Sequence, residues 1–262
     1  MTYESVRYEK QDHVAVVTLD RPQNMNALHL EAHLELKEIW EDFRDDPDLW
    51  VAILTGAGDR AFCAGNDLKV TAERTADGTD VRGVERPPFG RITRDFDCSK
   101  PMIAALNGVA AGGGLELALA CDIVVAADHA RLGLPEPKVG LFAGAGGAHR
   151  LARQVPFKVA MGMLLTGDLI DAAEAHRIGL VNQVVPGADL MATAHDWAQR
   201  IMRCSPVSLQ LTKEAVFDAQ FLGIDEAFRA DDGRRERLFA SHDFVEGPRA
   251  FAEKRTPQWT GR

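Results

Sequence analysis

The stretch PMIAALNGVAAGGGLELALA, running from Pro101 to Ala120, constrains this chain more than any other. An apolar run of strand length, a glycine triplet and a second apolar run read as strand, tight turn and helix. Leu115, Leu117, Ala118, Leu119 and Ala120 make that helix apolar on most faces, which places it in an interior. VAVVTL, WVAILTG, DIVVAAD and LVNQVVP read as further buried strands, with helical or Gly-rich segments between them. Strands alternating with helices up to about residue 185, then helices with polar faces from Asp189 to Lys254, specify an α/β core with a helical C-terminal module. The expected division is 1–188 for the core and 189–262 for the module. No sequence repeat of about 20–50 residues is present.

Local signals fill in the frame. Val6–Tyr8 and Val14–Leu19 are expected to pair around the polar turn KQDH, and Asn26 to cap a helix from Ala27 to about Arg44. Ala32, Leu36, Ile39, Trp40 and Phe43 fall on one face of that helix. AGDRAFCAGNDLKV reads as a Gly-punctuated loop, residues 71–90 as a loop or mobile lid, and Phe89, Ile92 and Phe96 as one face of a helix.

Composition narrows the function. The net charge of −9 disfavours broad binding to nucleic acid, but leaves room for an anionic small molecule held by backbone N–H groups. No apolar run reaches the ~18 residues of a membrane helix, and the opening MTYESVRYEKQDH lacks a signal-peptide core, so neither a membrane nor an export role is expected. Cys63, Cys98, Cys121 and Cys204 match no zinc or CxxC spacing, the pattern of reduced thiols in a cytoplasmic protein. Nothing marks Cys63 as a nucleophile.

At a helix start the first N–H groups lack intrahelical acceptors, and the positive end of the helix dipole points outward. Gly112, Gly113 and Gly114 let another group approach those N–H groups, which suits an anion or an oxygen that becomes anionic during reaction. Close strand–helix packing explains such glycines equally well. Glu116 separates the two readings. A carboxylate in an apolar helix costs several kcal/mol unless paired or protonated, and no Lys or Arg lies three or four residues away. It is either a partner for a distant Arg or an acid–base group with a shifted pKa. Glu136, between Pro135 and Pro137 in a stiffened loop, is either solvated or the second member of a carboxyl pair with split proton affinities. AFCAGNDL, another irregular turn after a buried strand, offers a second source of N–H groups. Donors from two loops form an oxyanion hole.

With these residues in place, the chain resembles the enoyl-CoA hydratase/isomerase (crotonase) family over essentially its whole length. The resemblance runs through LDRPQNMNAL, AILTGAGDRAFCAGNDL, NGVAAGGGLELALACDIVVAAD, LPEPKVGLFAGAGGAHRL and EGPRAFAEKRTPQW. It implies a spiral of ββα units with C-terminal helices that mediate association into a homotrimer or dimer of trimers. It implies an acyl-CoA thioester substrate, CoA being part of that substrate, and no metal or redox cofactor. By motif, Ala64 and Gly113 match the two oxyanion donors, and Glu116 and Glu136 the two catalytic glutamates of the hydratases. Met25 and Ala27, the loop Ala64, Gly65, Asn66, Asp67 and Leu68, and Gly112 match segments lining the CoA and acyl path.

Retention of both glutamates implies hydration or dehydration rather than isomerisation. Asn66, the pair Phe142–Ala143 and the 71–90 loop depart from short-chain hydratases, and these bear on the acyl group. FRDDPDLWVAILTGAGDRAFCAGNDLKVTAE and EGPRAFAEKRTPQWTGR are similar to one subgroup, the carnitinyl-CoA dehydratases, whose substrate carries a quaternary ammonium. An aromatic face would hold that cation, and Phe142 is one candidate. Two rivals carry less. AGAGGAHRL does not fit a dinucleotide GxGxxG, and a non-catalytic or RNA-binding scaffold sits poorly with both glutamates and the negative charge. His149 reads as a surface or packing residue, and Arg21, Arg60 and Lys69 as solvated charges or CoA-phosphate contacts.

Overall fold

The computed structural model describes residues 3–69 and 87–262. The expected lid at 71–90 therefore falls, through residue 86, outside the described residues.

The chain opens with a hairpin, β1 (Val6–Gln11) and β2 (Val14–Leu19), paired from Val6 opposite Leu19 to Gln11 opposite Val14. Its turn is only Asp12 and His13, at φ 47° and 68°, the two left-handed residues a tight twisted hairpin needs. Lys10 and Gln11, expected in the turn, belong to the strand.

A six-stranded main sheet has the order β1-β2-β3-β5-β7-β10, with β3 (Val51–Gly56), β5 (Met102–Leu106), β7 (Ile123–Ala127) and β10 (Gln183–Val185) parallel to β2. A four-stranded second sheet has the order β4-β6-β8-β9, from β4 (Ala61–Cys63), β6 (Val109–Ala111), β8 (Arg131–Gly133) and β9 (Ile170–Asp171). Each circuit leaves one strand in each sheet: β3 then β4, β5 then β6, β7 then β8. That is the expected spiral.

The transfer between sheets is made by particular residues. PMIAALNGV, read as a single strand, is β5 and β6 divided at Asn107–Gly108. Asn107 accepts from Gly56 N and donates to the carbonyls of Gly58 and Ala61, binding one circuit to the next. A side chain at Gly108 would collide with the Arg60 carbonyl. Ala61–Cys63, read as loop, is a strand because β6 pairs alongside it.

Helix α1 (Leu30–Asp45) buries Ala32, His33, Leu36, Ile39, Trp40 and Phe43 against the inner face of the main sheet. It starts at Leu30 after an extended His29, not at Ala27, and Asn26 does not cap it. Asn26 sits at φ 54° with its amide turned into the core. There it donates to Ala57 O (3.0 Å) and Ala61 O (2.7 Å) and accepts from Arg21 N. The polar group binds three loops where sequence suggested a helix start.

The other face of the main sheet is covered by α6 (Leu190–Met202). Leu190, Ala194 and Ala198 pack on Val14, Val51, Ile53, Ile103, Ala105 and Val125. Burial on both faces explains why these strands read as unbroken apolar runs. The remaining helices are α2 (Gly113–Ala120), α3 (Gly147–Gln154), α4 (Phe157–Thr166), α5 (Ala172–Arg177), α7 (Pro206–Ala219), α8 (Ile224–Phe239) and α9 (His242–Glu253). The C-terminal segment folds back on α9, where buried Asp243 accepts from Thr260 N and Arg255 forks onto Glu246.

The helix expected over Phe89, Ile92 and Phe96 is absent. Gly90, Arg91 and Asp95 have positive φ, so the segment is a series of turns. Its apolar spacing arises from packing: Ile92 is buried and Phe96 meets Trp40 edge-on, with ring centroids 6.4 Å apart.

Candidate active site

The site is assembled at the start of α2, whose eight residues are all buried. Each of the three glycines preceding Leu115 has a group standing where a Cβ would be. At Gly112, with φ 56° and ψ −127°, the Glu136 Oε1 lies 3.2 Å from that position. At Gly113 it is the ring tip of Phe89, and at Gly114 the Cys63 carbonyl. The triplet allows close approach at all three positions, by a carboxyl group at Gly112, a ring at Gly113 and a backbone carbonyl at Gly114.

Three segments converge there. The first, 25–28, is laced to the second, 64–67: Leu28 N donates to Gly65 O (2.8 Å), Asp67 N to Leu28 O (2.9 Å) and Ala64 N to Met25 O (3.0 Å). Gly65, at φ 93°, passes so close to α2 that a Cβ would sit 3.0 Å from Gly113 N and from Ala111 O. The backbones of Gly65 and Gly113 are thus neighbours. Gly113 N–H, in the first turn, has no intrahelical acceptor, whereas Ala64 N–H is engaged by Met25. The third segment is the turn Pro135–Gly140, in which Glu136 opens a short 3-10 helix flanked by its two prolines.

Glu116 is only 3 % exposed. Its Oε1 accepts from Gly147 N at 2.8 Å. Among the described residues no ion pair neutralises it, and Arg150 acts on it through space. Burial pushes the carboxyl up to about 7, backbone N–H groups at Gly147 and Ala145 pull against that, and the charge of Glu136 adds to the rise. Burial likewise raises Glu136, whose Oε2 is buried with no hydrogen-bond partner among the described residues. Two acids biased toward their protonated forms therefore flank the N-terminus of α2.

The other expected residues divide by environment. Met25 holds a left-handed backbone (φ 53°), and its carbonyl takes the Ala64 N–H. Ala27 is buried and its carbonyl accepts from Arg21. Asp67 is turned inward and meets the same Arg21 at 3.2 Å, so this arginine is a structural cation rather than a solvated one. Asn66 bridges to Leu28 through its backbone. Leu68 is exposed, and Phe142 is 74 % exposed with its ring folded over Gly144. His149 is exposed. The Cys63 thiol, pushed up to about 12 by burial, is no nucleophile.

Two parts of the site were missed from sequence. Phe89 lies on Gly113 and meets buried His33 edge-on at 4.9 Å, while Gly90 N donates to His33 Nδ1 at 3.1 Å. The donors to Glu116 come from the start of α3. The argument applied to the glycines before α2 holds equally for GAGG before His149, and would have found them.

The start of α2 thus has Glu136 against Gly112 and the buried Glu116 one turn further along. The enoyl-CoA hydratase/isomerase family model matches residues 9–262. A carnitinyl-CoA dehydratase of Citrobacter koseri is 41% identical over 263 residues, covering 99% of each chain. One from Proteus mirabilis is 42% identical over 253 residues, covering 95% of each. Among solved structures, an enoyl-CoA hydratase from Mycobacterium marinum superposes with a TM-score of 0.91 at 37% identity, over 98% of this chain and 99% of that one. With the spiral of two sheets and the site at the glycine triplet, these matches show that the chain belongs to the enoyl-CoA hydratase/isomerase, or crotonase, family.

Proposed function

We propose that the chain adds water reversibly to a 2-enoyl-CoA thioester. The observation that carries this reading is the pair Glu116 and Glu136, both raised by burial, the one within α2 and the other against Gly112. In the hydration direction one glutamate, as carboxylate, takes a proton from water while the water oxygen bonds to the β-carbon. The double-bond electrons move toward the thioester carbonyl, whose oxygen gains enolate charge. Gly113 N–H meets that charge; a single such donor typically contributes ~3 kcal/mol. The second glutamate, protonated, then delivers its proton to the α-carbon. The pair exchanges one proton per turnover, so its ionisations belong to the pair, and dehydration is the same path reversed. No step draws on a metal or redox cofactor, and CoA arrives with the substrate.

A second substrate reading rests on the carnitinyl-CoA dehydratases at 41–42% identity. A quaternary ammonium needs an aromatic face, and Phe89, against Gly113, is better placed for it than the exposed Phe142. Phe217, Phe221, Phe228 and Phe251, exposed along α7 to α9, support assembly into a homotrimer or dimer of trimers.

The test is turnover of crotonyl-CoA, longer 2-enoyl-CoAs and crotonobetainyl-CoA by the purified protein, with Glu116→Gln and Glu136→Gln alongside. Each variant is expected to lose hydration by at least about 100-fold. Inactivity of the native protein on the whole panel defeats the proposal. Retention of 3-enoyl-CoA isomerisation by Glu116→Gln would favour an isomerase.

A further inference from the structure

Arg150 is half-buried on the first turn of α3 and touches none of the groups assigned above to the reaction. Its contacts nevertheless join the two ends of the site. Its backbone N donates to Gly146 O at 2.7 Å, and its guanidinium lies across Gly146, where any Cβ would strike Nη1. Gly146, at φ 109°, precedes Gly147, whose N–H holds Glu116. The same Nη1 donates to Thr93 O at 2.7 Å, and Thr93 Oγ1 donates back to Phe89 O at 2.9 Å. Phe89 is the ring on Gly113, and Gly90 beside it is pressed on Leu117, one turn further along α2.

We propose that Arg150 is a positioning residue: one guanidinium fixes both the Gly146–Gly147 turn that holds Glu116 and the 89–93 turn that sets Phe89 against Gly113. The inference rests on the acid–base reading of Glu116 given above, but its test needs no substrate. Among the described residues the charged side chains named as acting on Glu116 are Glu136, from the 3-10 turn, and Arg150, from α3; α2 itself contributes none. Removing the cation therefore disfavours the carboxylate, while removing the fork frees both turns.

The experiment follows the Glu116 carboxyl by 13C NMR of glutamate-labelled protein, assigned with Glu116→Gln, together with amide exchange at Gly147 and Gly90 measured against β3 amides. In Arg150→Met the carboxyl titration is expected to rise by roughly a few tenths of a pH unit, and both amides to exchange at least about tenfold faster. Arg150→Lys, which keeps the charge and loses the planar fork, is expected to titrate near the native value yet still loosen Gly90. A merely structural role would leave the titration in place. An unmoved titration in Arg150→Met, or faster exchange at Gly147 without Gly90, overturns the proposal; should Arg150→Met not fold, native exchange at Gly90 in Arg150→Lys does so. A native protein inert toward every thioester defeats the hydratase reading and leaves this measurement intact.

Discussion

At the scale of single residues, Glu116 sets the pH behaviour of the chain. Its folded carboxyl titrates near 7 against an ordinary 4.5, so between those values the unfolded chain ionises while the folded one keeps its proton. Fewer protons on the unfolded state mean that stability falls as pH rises through this window, and levels off above it. Glu116→Gln, which retains an oxygen for Gly147 N–H, removes that dependence. Denaturant unfolding across the window is expected to show the variant gaining on the native protein as pH rises, by up to about 3 kcal/mol. A constant difference would contradict the burial of this carboxyl. Glu116 was legible in sequence because an acid in an apolar helix has to be explained. What approaches Gly113 was not, because the glycine records only that something is close, and Phe89 is 24 positions upstream.

At the scale of elements, sequence reading succeeded where period and burial agree, in the strands of the main sheet and in α1 and α2. It failed where one residue type has two uses. Asn26, a good helix cap by composition, serves instead as an interior clamp between the ends of β3 and β4. Asn26→Ala would leave the Ala57 carbonyl and the Arg21 N–H without the partner they have in Asn26, while the Ala61 carbonyl keeps Asn107. The expected cost is about 2–3 kcal/mol, read as a lower denaturation midpoint; a loss below about 0.5 kcal/mol would mean the clamp is idle. The helix inferred over 89–96 failed for a related reason. Three apolar side chains at helical spacing also suit a set of turns folded onto a helix, and the positive φ at Gly90, Arg91 and Asp95 decides for turns.

At the scale of the whole molecule, the spiral was legible as strand–helix alternation, while the second sheet was not. Its strands are two or three residues long, too short for a period to register. The exposed aromatic side chains of α7 to α9 carry a prediction of their own. Light scattering after size exclusion should give three or six times the chain mass, and Phe228→Ser, on α8, should lower it. A native monomer would leave this apolar surface without the role given it here.

The division of each circuit between two sheets has an evolutionary consequence. Asn107 and Gly108 hand the chain from one sheet to the other just before the glycine triplet, so the reacting centre inherits its rigidity from both. Segments such as Leu141–Phe142, which meet solvent, stand outside that lattice. A lineage can rewrite them, and with them the molecules it accepts, while the bond-making apparatus is passed on unaltered.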